Sequence, residues 1–362
     1  MDRINALVIG ATGIVGGNLL PELLAKGWTV YGLARRPEAA PPGTIPIKAD
    51  LNDAAAVQQA LAGVPASHVF FTTWTPCPTE TEACAVNRKQ VRHVLDALRN
   101  SGRKLQHVVL VTGVKHYQGP FTEFGWVRPE TPFQEDEPRL PVENFYYDQE
   151  DEVFAAAERD GFTWSVHRPN AIVGFAIGSL MNTGMTIACY ASLCRATGRP
   201  FAFTGVESQW NGLTEVSDAR LIARQLFWAA TSPAAHNQAF NTANGDVFRW
   251  RRMWPVIGAY FGLEVPPYNG ERTLLQEVMA DAGPIWAKLA RKHDLIEPDL
   301  GRLATWWHSD FDFSRAIDSI SDMTKSRKAG FLDYQSTRDT FFDLFQRLQA
   351  ERIIPRADVM PA

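Results

Sequence analysis

Residues 5–17 read Asn-Ala-Leu-Val-Ile-Gly-Ala-Thr-Gly-Ile-Val-Gly-Gly, and this stretch decides the fold. Its apolar run, residues 6–9, is typical of a strand that is buried on both faces of a parallel sheet. Gly10, Gly13 and Gly16 follow at the spacing of a dinucleotide-binding turn. The first glycine allows a tight turn, the second lets the backbone approach a pyrophosphate, and the third brings a helix close to the strand. Because the helical spacing then continues to Lys26, a helix N-terminus would face the phosphates, and the stretch predicts a dinucleotide cofactor.

The composition is that of an enzyme with a large core. The chain has 362 residues, of which 45% are hydrophobic and 21% charged, and its net charge of −4 provides no basic field for nucleic acid or an anionic membrane. No apolar run approaches the roughly 20 residues that span a bilayer, and the N-terminus enters the first strand without a signal peptide. The four cysteines have neither metal-ligand spacing nor a disulfide framework. We therefore expect a cytoplasmic protein with reduced thiols and no metal, nucleic-acid or membrane partner; a homodimer is left open.

Strands and helices alternate over the first half of the chain. Further strands are predicted at residues 29–33, 45–50, 68–72, 107–112 and 163–168, with helices at about 53–61, 80–100 and 147–159. This alternation predicts an α/β fold with a Rossmann-type, doubly wound parallel sheet. After about residue 175 helical patterns dominate. We expect an NADP-binding Rossmann domain over residues 1–175 and a helix-rich C-terminal substrate-binding lobe over residues 176–362, packed as one compact unit.

The residues after the second and third strands bear on the choice of cofactor. Arg35 and Arg36 follow the second strand, where an acidic residue would hydrogen-bond a free ribose 2′-hydroxyl. Two guanidinium groups suit the 2′-phosphate of NADP instead, although surface arginines are also common. Asp50, after the third strand, suits either a hydrogen bond to the adenine amino group or a cap at the strand end. The sequence therefore favours NADPH as the cofactor.

The usual catalytic pair of short-chain dehydrogenases is absent. That pair is Tyr-x-x-x-Lys on one helix, which places an ammonium beside a phenol. Here Tyr146 is followed four positions later by Glu150, and Tyr147 by Asp151. The absence argues against an extended short-chain carbonyl reductase or a sugar-nucleotide epimerase. Either the lysine comes from another segment, or the protein is an NADP-sensing regulator without turnover.

Two stretches supply a lysine and a tyrosine in another arrangement. Residues 111–121 read Val-Thr-Gly-Val-Lys-His-Tyr-Gln-Gly-Pro-Phe, and residues 144–151 read Asn-Phe-Tyr-Tyr-Asp-Gln-Glu-Asp. With the glycine turn, they resemble the progesterone 5β-reductase and iridoid synthase-like family, atypical short-chain dehydrogenases that reduce activated C=C bonds. Further matching segments lie at 164–169, 218–223, 240–248 and 325–331, so the resemblance covers almost the whole chain. It implies that Lys115 and Tyr147 are the catalytic pair, while Val114 stands where many members have a polar residue.

The chemistry of such a pair follows from the charge that the reaction develops. An enone that accepts hydride at its β-carbon gains negative charge on its carbonyl oxygen, which a phenol stabilises as an oxyanion-hole donor does. A nearby ammonium makes that phenol a stronger donor, and Lys115 is also able to hold the nicotinamide ribose. The alternatives are a solvated loop lysine and, for Tyr147, a core aromatic at the start of a helix. Tyr146 is the competing tyrosine.

The resemblance implies an NADPH-dependent reductase of α,β-unsaturated carbonyl compounds, similar to a steroid 5β-reductase. The expected cofactor-binding residues lie on the glycine turn and after the strand ends: Gly10, Thr12, Gly13, Ile14, Gly16, Arg35, Arg36, Asp50, Leu51, Thr72, Thr112, Tyr147, Pro169 and Ile172. The expected substrate-binding residues are Trp74, Phe121, Tyr146 and Trp210. No metal site is expected, because His116 and His167 have no cluster of ligand partners in the sequence.

Overall fold

A seven-stranded parallel sheet takes six strands from the first half of the chain and one from the second. The computed structural model describes residues 4–120, 129–179 and 181–356. The strands of this sheet lie in the order β3-β2-β1-β4-β5-β6-β9. Their bounds are β1 Asn5–Ile9, β2 Thr29–Ala34, β3 Ile45–Lys48, β4 His68–Phe71, β5 His107–Val111, β6 Thr163–Pro169 and β9 Gln238–Thr242. The predicted Rossmann-type sheet is confirmed.

The strand order reverses at the first strand. β1 pairs with β2 on one side and with β4 on the other, and both pairings are parallel. The chain therefore leaves β1 toward one half of the sheet and later returns to the other half. Residues 6–9 of β1 have no exposed surface, as their apolar run predicts. In doubly wound sheets, ligands bind where the strand order reverses in this way.

Fourteen α-helices accompany the sheet within the described residues. Between β1 and β6 the chain forms α1 Ile14–Ala25, α2 Ala54–Leu61, α3 Glu80–Asn100, α4 Lys115–Gln118 and α5 Phe145–Asp160, and α8 Ala219–Thr231 precedes β9. The others are α6 Thr183–Thr197, α7 Glu207–Asn211, α9 Trp250–Tyr260, α10 Leu275–Val278, α11 Ala282–Lys292, α12 Trp306–Asp312, α13 Thr324–Lys328 and α14 Thr337–Ala350. Helix α5 begins two residues before the predicted start, because the Asn144 side chain caps it by accepting a hydrogen bond from the Tyr146 amide.

The chain forms two compact units, and the first is discontinuous. That unit comprises Met1–Pro169, Arg220–Thr242 and Ser321–Asp333, and the second comprises the remaining segments. Strand β9 lies beyond residue 175, in the region expected to form the lobe, yet it pairs with β6 in the sheet. A single boundary near residue 175 therefore does not describe how the chain alternates between the units.

The second unit has an aromatic core of its own. Phe201 stacks on Trp254 at a centroid distance of 4.6 Å, and Phe313 meets the same indole edge-on at 5.7 Å. Two short strands, β7 Ile172–Val173 and β8 Ser217–Asp218, pair in parallel beside this core. The helix-rich character predicted for the C-terminal half is present in this unit.

Three further properties concern the whole described chain. Among its helices, none has both the length and the apolar character that crossing a bilayer requires. The same residues contain no group of three or more His, Cys, Asp or Glu side chains arranged to hold a metal ion. All four cysteines are free thiols.

Candidate active site

The glycine turn has the close approaches that its sequence predicts. The amides of Gly10 and Ala11 both donate to the carbonyl of Leu33, at 3.0 and 3.2 Å, which folds the turn over the sheet edge. A Cβ added at Gly16 would lie 2.2 Å from the Gly10 oxygen, so only glycine fits there. Among the described residues, a Cβ added at Gly13 would meet only the Gly10 oxygen, at 3.3 Å. The backbone therefore forms a cradle that suits a pyrophosphate at the start of α1.

The predicted residues around this turn adjoin it. Thr12 lies in the turn and Ile14 is the first residue of α1. The Thr72 hydroxyl, directly after β4, donates to the Ile9 carbonyl at 2.7 Å. A Cβ added at Gly10 would lie 2.6 Å from Thr73. The ends of β1 and β4 are thus held together at the switch point of the sheet.

The expected adenine side lies after β2 and β3. Arg35 and Arg36 directly follow β2, and both side chains are exposed. The Asp50 carboxylate accepts a hydrogen bond from the Asn52 amide at 2.9 Å, which is the cap that the sequence left open as an alternative. His93 donates through Nδ1 to the Leu51 carbonyl at 2.8 Å. Whether these residues bind cofactor stays a prediction.

The carboxyl ends of β5 and β6 are tied to each other. The Thr112 amide donates to the His167 carbonyl at 2.8 Å, and the Val114 amide donates to the Pro169 carbonyl at 3.1 Å. These two hydrogen bonds extend the pairing of β5 with β6 to residue 114, directly before α4 begins. Ile172, by contrast, lies in β7 of the second unit.

Lys115 is a buried cation with a carboxylate partner. Its side chain is 7% exposed, and Nζ donates to both oxygens of Glu80, at 2.6 and 2.7 Å. The same ammonium lies 4.1 Å from the ring centroid of Phe145 and 5.6 Å from that of Tyr146. Burial lowers the pKa of Lys115, and the adjacent Glu80 acts in the opposite direction. The reading of Lys115 as a solvated loop residue is therefore wrong.

Tyr146 is buried, and its hydroxyl lies at the carboxyl ends of β5 and β6. A Cβ added at Gly113 would lie 3.2 Å from that hydroxyl and 3.3 Å from the Pro169 carbonyl, which locates the phenol beside both strand ends. Within the described residues, the Tyr146 hydroxyl makes no hydrogen bond. Burial raises the pKa of Tyr146, so the phenol stays protonated and able to donate.

Tyr147 uses its hydroxyl for backbone groups. The hydroxyl donates to the His116 carbonyl at 2.7 Å and accepts from the Leu140 amide at 3.1 Å. The cation near its ring is Arg139, with the guanidinium 4.9 Å from the centroid. The lysine of the predicted pair thus lies against Tyr146, and the catalytic and cofactor-binding roles expected of Tyr147 stay predictions.

The expected substrate residues fall in different parts of the chain. Trp74 stacks on Phe145, with the centroids 5.2 Å apart and the planes at 23°. Trp210 lies in the second unit, where it packs against Phe203 and Tyr268 at 5.1 and 5.2 Å. Phe121 lies outside the described residues.

Two residues that the sequence reading missed hold the loop that carries Trp74. The buried Asn87 side chain accepts from the Thr75 amide at 2.7 Å and donates to the Thr75 carbonyl at 3.0 Å. Gln90 donates to the Thr75 hydroxyl at 2.8 Å. Their only signal in the sequence is a pair of amides on the apolar side of the predicted helix α3. That pattern gives no indication of the loop they contact.

A parallel sheet with a glycine cradle at its switch point defines a Rossmann-type fold of the dinucleotide-binding class. Solved structures share this fold. The chain is similar to UDP-glucose 4-epimerase of Thermotoga maritima (TM-score 0.68, 13% identity, 96% of this chain and 99% of that one). It is also similar to the Bordetella bronchiseptica enzyme WbmH, solved with NAD+ (TM-score 0.66, 15% identity, 96% and 99%).

The family follows from the sequence comparisons. The model of the PRISE-like Rossmann-fold domain matches residues 49–355, and the chain belongs to this family. It is 40% identical over 363 residues to an (S)-8-oxocitronellyl enol synthase of Camptotheca acuminata, covering 97% of this chain and 93% of that protein. It is 39% identical over 362 residues to the 3-oxo-Delta(4,5)-steroid 5-beta-reductase of Arabidopsis thaliana, with the same coverage. The resemblance found in the sequence is confirmed.

Proposed function

We propose that the protein is an NADPH-dependent oxidoreductase that reduces the C=C bond of α,β-unsaturated carbonyl compounds. Among its relatives, one is named as a reductase of 3-oxo-Δ4,5 steroids and another as a synthase of an oxo-enol. Addition of hydride to the β-carbon of an enone gives an enolate, which fits both names. The observation that carries the proposal is the buried residue Tyr146, whose hydroxyl has no protein hydrogen bond among the described residues and whose ring centroid lies 5.6 Å from the Lys115 ammonium.

The side chains of the site stabilise the charge that the reaction develops. NADPH, when bound, supplies the hydride. As negative charge grows on the carbonyl oxygen, the Tyr146 phenol donates a hydrogen bond to it and the Lys115 ammonium adds a favourable field. Because both groups are buried and already positioned, little reorganisation accompanies the reaction. Removing one such donor typically costs about 10²–10³ in rate.

The glycine cradle and the arginines after β2 support the choice of NADPH. Arg35 and Arg36 are exposed at the position where a ribose 2′-phosphate is expected. The unaltered protein should have a lower KM for NADPH than for NADH. Replacing both arginines by glutamine should raise the KM for NADPH and leave that for NADH nearly unchanged, whereas Arg99→Gln, on α3, should change neither. Equal use of the two cofactors by the unaltered protein would refute this part of the proposal.

The reaction type is tested by identifying the product. Small cyclic enones and NADPH should give the saturated ketone, measured by mass spectrometry and NMR. An allylic alcohol as the main product would indicate direct carbonyl reduction. Binding of NADPH without its consumption would indicate a sensor. A homodimer and a cytoplasmic location stay predictions.

A further inference from the structure

We infer that Glu80 is a positioning residue of this site: it holds the Lys115 ammonium beside Tyr146 and joins the lysine segment to the start of α5. Neither the sequence reading nor the family resemblance assigned it a role. The inference rests on the proposed function for its effect on turnover. The contacts that Glu80 makes do not depend on that function.

Glu80 connects three elements through one carboxylate. It is the first residue of α3, and its side chain is only 15% exposed. Besides the two hydrogen bonds from Lys115, Oε1 accepts the amide of Phe145 at 2.8 Å. That amide belongs to the first residue of α5 and has no acceptor within its own helix. The carboxylate therefore fixes the start of α4 and the start of α5 to the start of α3.

The location of the ammonium follows from this bridge. A bidentate pair restrains a lysine more than a single hydrogen bond does. Held in this way, Nζ lies over the Phe145 ring and beside the Tyr146 ring. Phe145 and Tyr146 are the first two residues of α5. The Glu80 carboxylate therefore fixes the position of the lysine relative to the Tyr146 phenol.

Glu80 also maintains the charge of the lysine. A buried ammonium without a partner loses its proton readily, because burial disfavours the charged form. Among the described residues, those known to act on Lys115 are Glu80 and Cys84 from α3 and Tyr146 from α5. Of these, Glu80 is the acidic group in direct contact with the ammonium. Its neutralisation should make the ammonium lose its proton at lower pH.

The variant Glu80→Gln tests this role. Glutamine keeps the shape and an acceptor for the Phe145 amide but removes the charge. The alkaline limb of kcat should move to lower pH by about one unit or more, while the KM for NADPH changes little. Glu80→Asp retains the charge on a shorter side chain. Its kcat should fall, but the alkaline limb of its pH profile should stay near that of the unaltered protein. The matched control is Glu82→Gln, two residues along the same helix in the exposed capping box with Thr79; it should leave the profile unchanged.

A second measurement needs no turnover. In cofactor-free protein carrying 13C-labelled lysine, the Lys115 13Cε signal is assigned by its loss in Lys115→Met, and its titration midpoint is followed by NMR. The midpoint should fall in Glu80→Gln and stay in place in Glu82→Gln. An unchanged midpoint in Glu80→Gln would overturn the inference. A shifted midpoint in a protein that does not reduce enones would instead overturn the proposed function and leave the link between Glu80 and Lys115 standing.

Discussion

At the scale of single residues, the site depends on which of two adjacent tyrosines meets the ligand. Successive helix residues point roughly 100° apart, so Tyr146 and Tyr147 cannot share a direction. The hydroxyl of Tyr147 bonds the His116 carbonyl and the Leu140 amide, whereas that of Tyr146 lies at the ends of β5 and β6. The letters Tyr-Tyr at a helix start do not reveal this difference. It depends on the angle at which α5 leaves its Asn144 cap.

Substitution by phenylalanine should separate the two tyrosines. Tyr146→Phe should lower kcat for a cyclic enone by about 10²–10⁴, because it removes the donor to the enolate oxygen, with NADPH binding retained. Tyr147→Phe should keep kcat within a few-fold. It should lower the free energy of unfolding by about 1–3 kcal/mol, because the Leu140 amide and the His116 carbonyl lose their partner.

Steady-state kinetics and urea unfolding of both variants measure these effects. If Tyr147→Phe abolished turnover and Tyr146→Phe did not, the lysine–tyrosine pair implied by the family resemblance would be correct. If neither variant lost activity, the proposed enolate stabilisation would be refuted.

At the scale of elements, the site is built where helices start and strands end. The strands were predictable because their apolar runs match a sheet that is buried on both faces. The contact of Glu80 with Lys115 was not, since 35 residues separate them and no periodic pattern relates one helix start to another. The same holds for Asn87, whose partner Thr75 lies in a loop. The periodicity of a sequence predicts which face of a helix or strand is buried. It does not predict which helix starts and loops contact one another, because those contacts depend on how the elements pack.

The approach of α5 to the end of β5 leaves little room for an added side chain. A methyl group at Gly113 would press on the Tyr146 phenol at 3.2 Å and on the Pro169 carbonyl at 3.3 Å. Gly113→Ala should therefore displace the phenol and lower kcat about tenfold or more, because small misplacements of reacting groups are costly. Its circular dichroism spectrum should remain that of the unaltered protein.

The control for this element is Gly63→Ala, where an added Cβ meets nothing within 4 Å. It should leave kcat unchanged. Full activity in Gly113→Ala would show that the phenol does not need this close approach to the strand ends.

At the scale of the whole molecule, three buried histidines lie on adjacent strands of the sheet. His68 and His107 are paired in register on β4 and β5, and His167 lies on β6. Burial is the main cause that lowers their pKa values, to about 4, 3 and 4. All three are therefore neutral in the folded protein at neutral pH.

We expect the protein to lose stability as the pH falls from 6.5 toward 4, because these three histidines are buried. The unfolded chain binds protons at these histidines below a pKa of about 6.5, whereas the folded chain does not. Stability is therefore complete above pH 6.5 and falls as the pH drops toward 4. Each histidine should lower the free energy of unfolding by about 1 kcal/mol at pH 5.5. Urea unfolding between pH 7.5 and 5.5 measures how steeply the free energy of unfolding changes with pH. His107→Gln should make this dependence shallower. Equal unfolding midpoints across this range would contradict the prediction.

The discontinuity of the first unit has a consequence for how the protein is made. A ribosome delivers β6 before it delivers β9, and residues 321–333 of the same unit follow later still. At about 5–20 residues per second, the edge of β6 stays unpaired for several seconds on every nascent chain. An unpaired edge is a template for pairing with another chain. Crowded translation of one message therefore exposes this protein to co-translational aggregation, and a holdase that covers the edge of β6 until β9 arrives should raise its soluble yield.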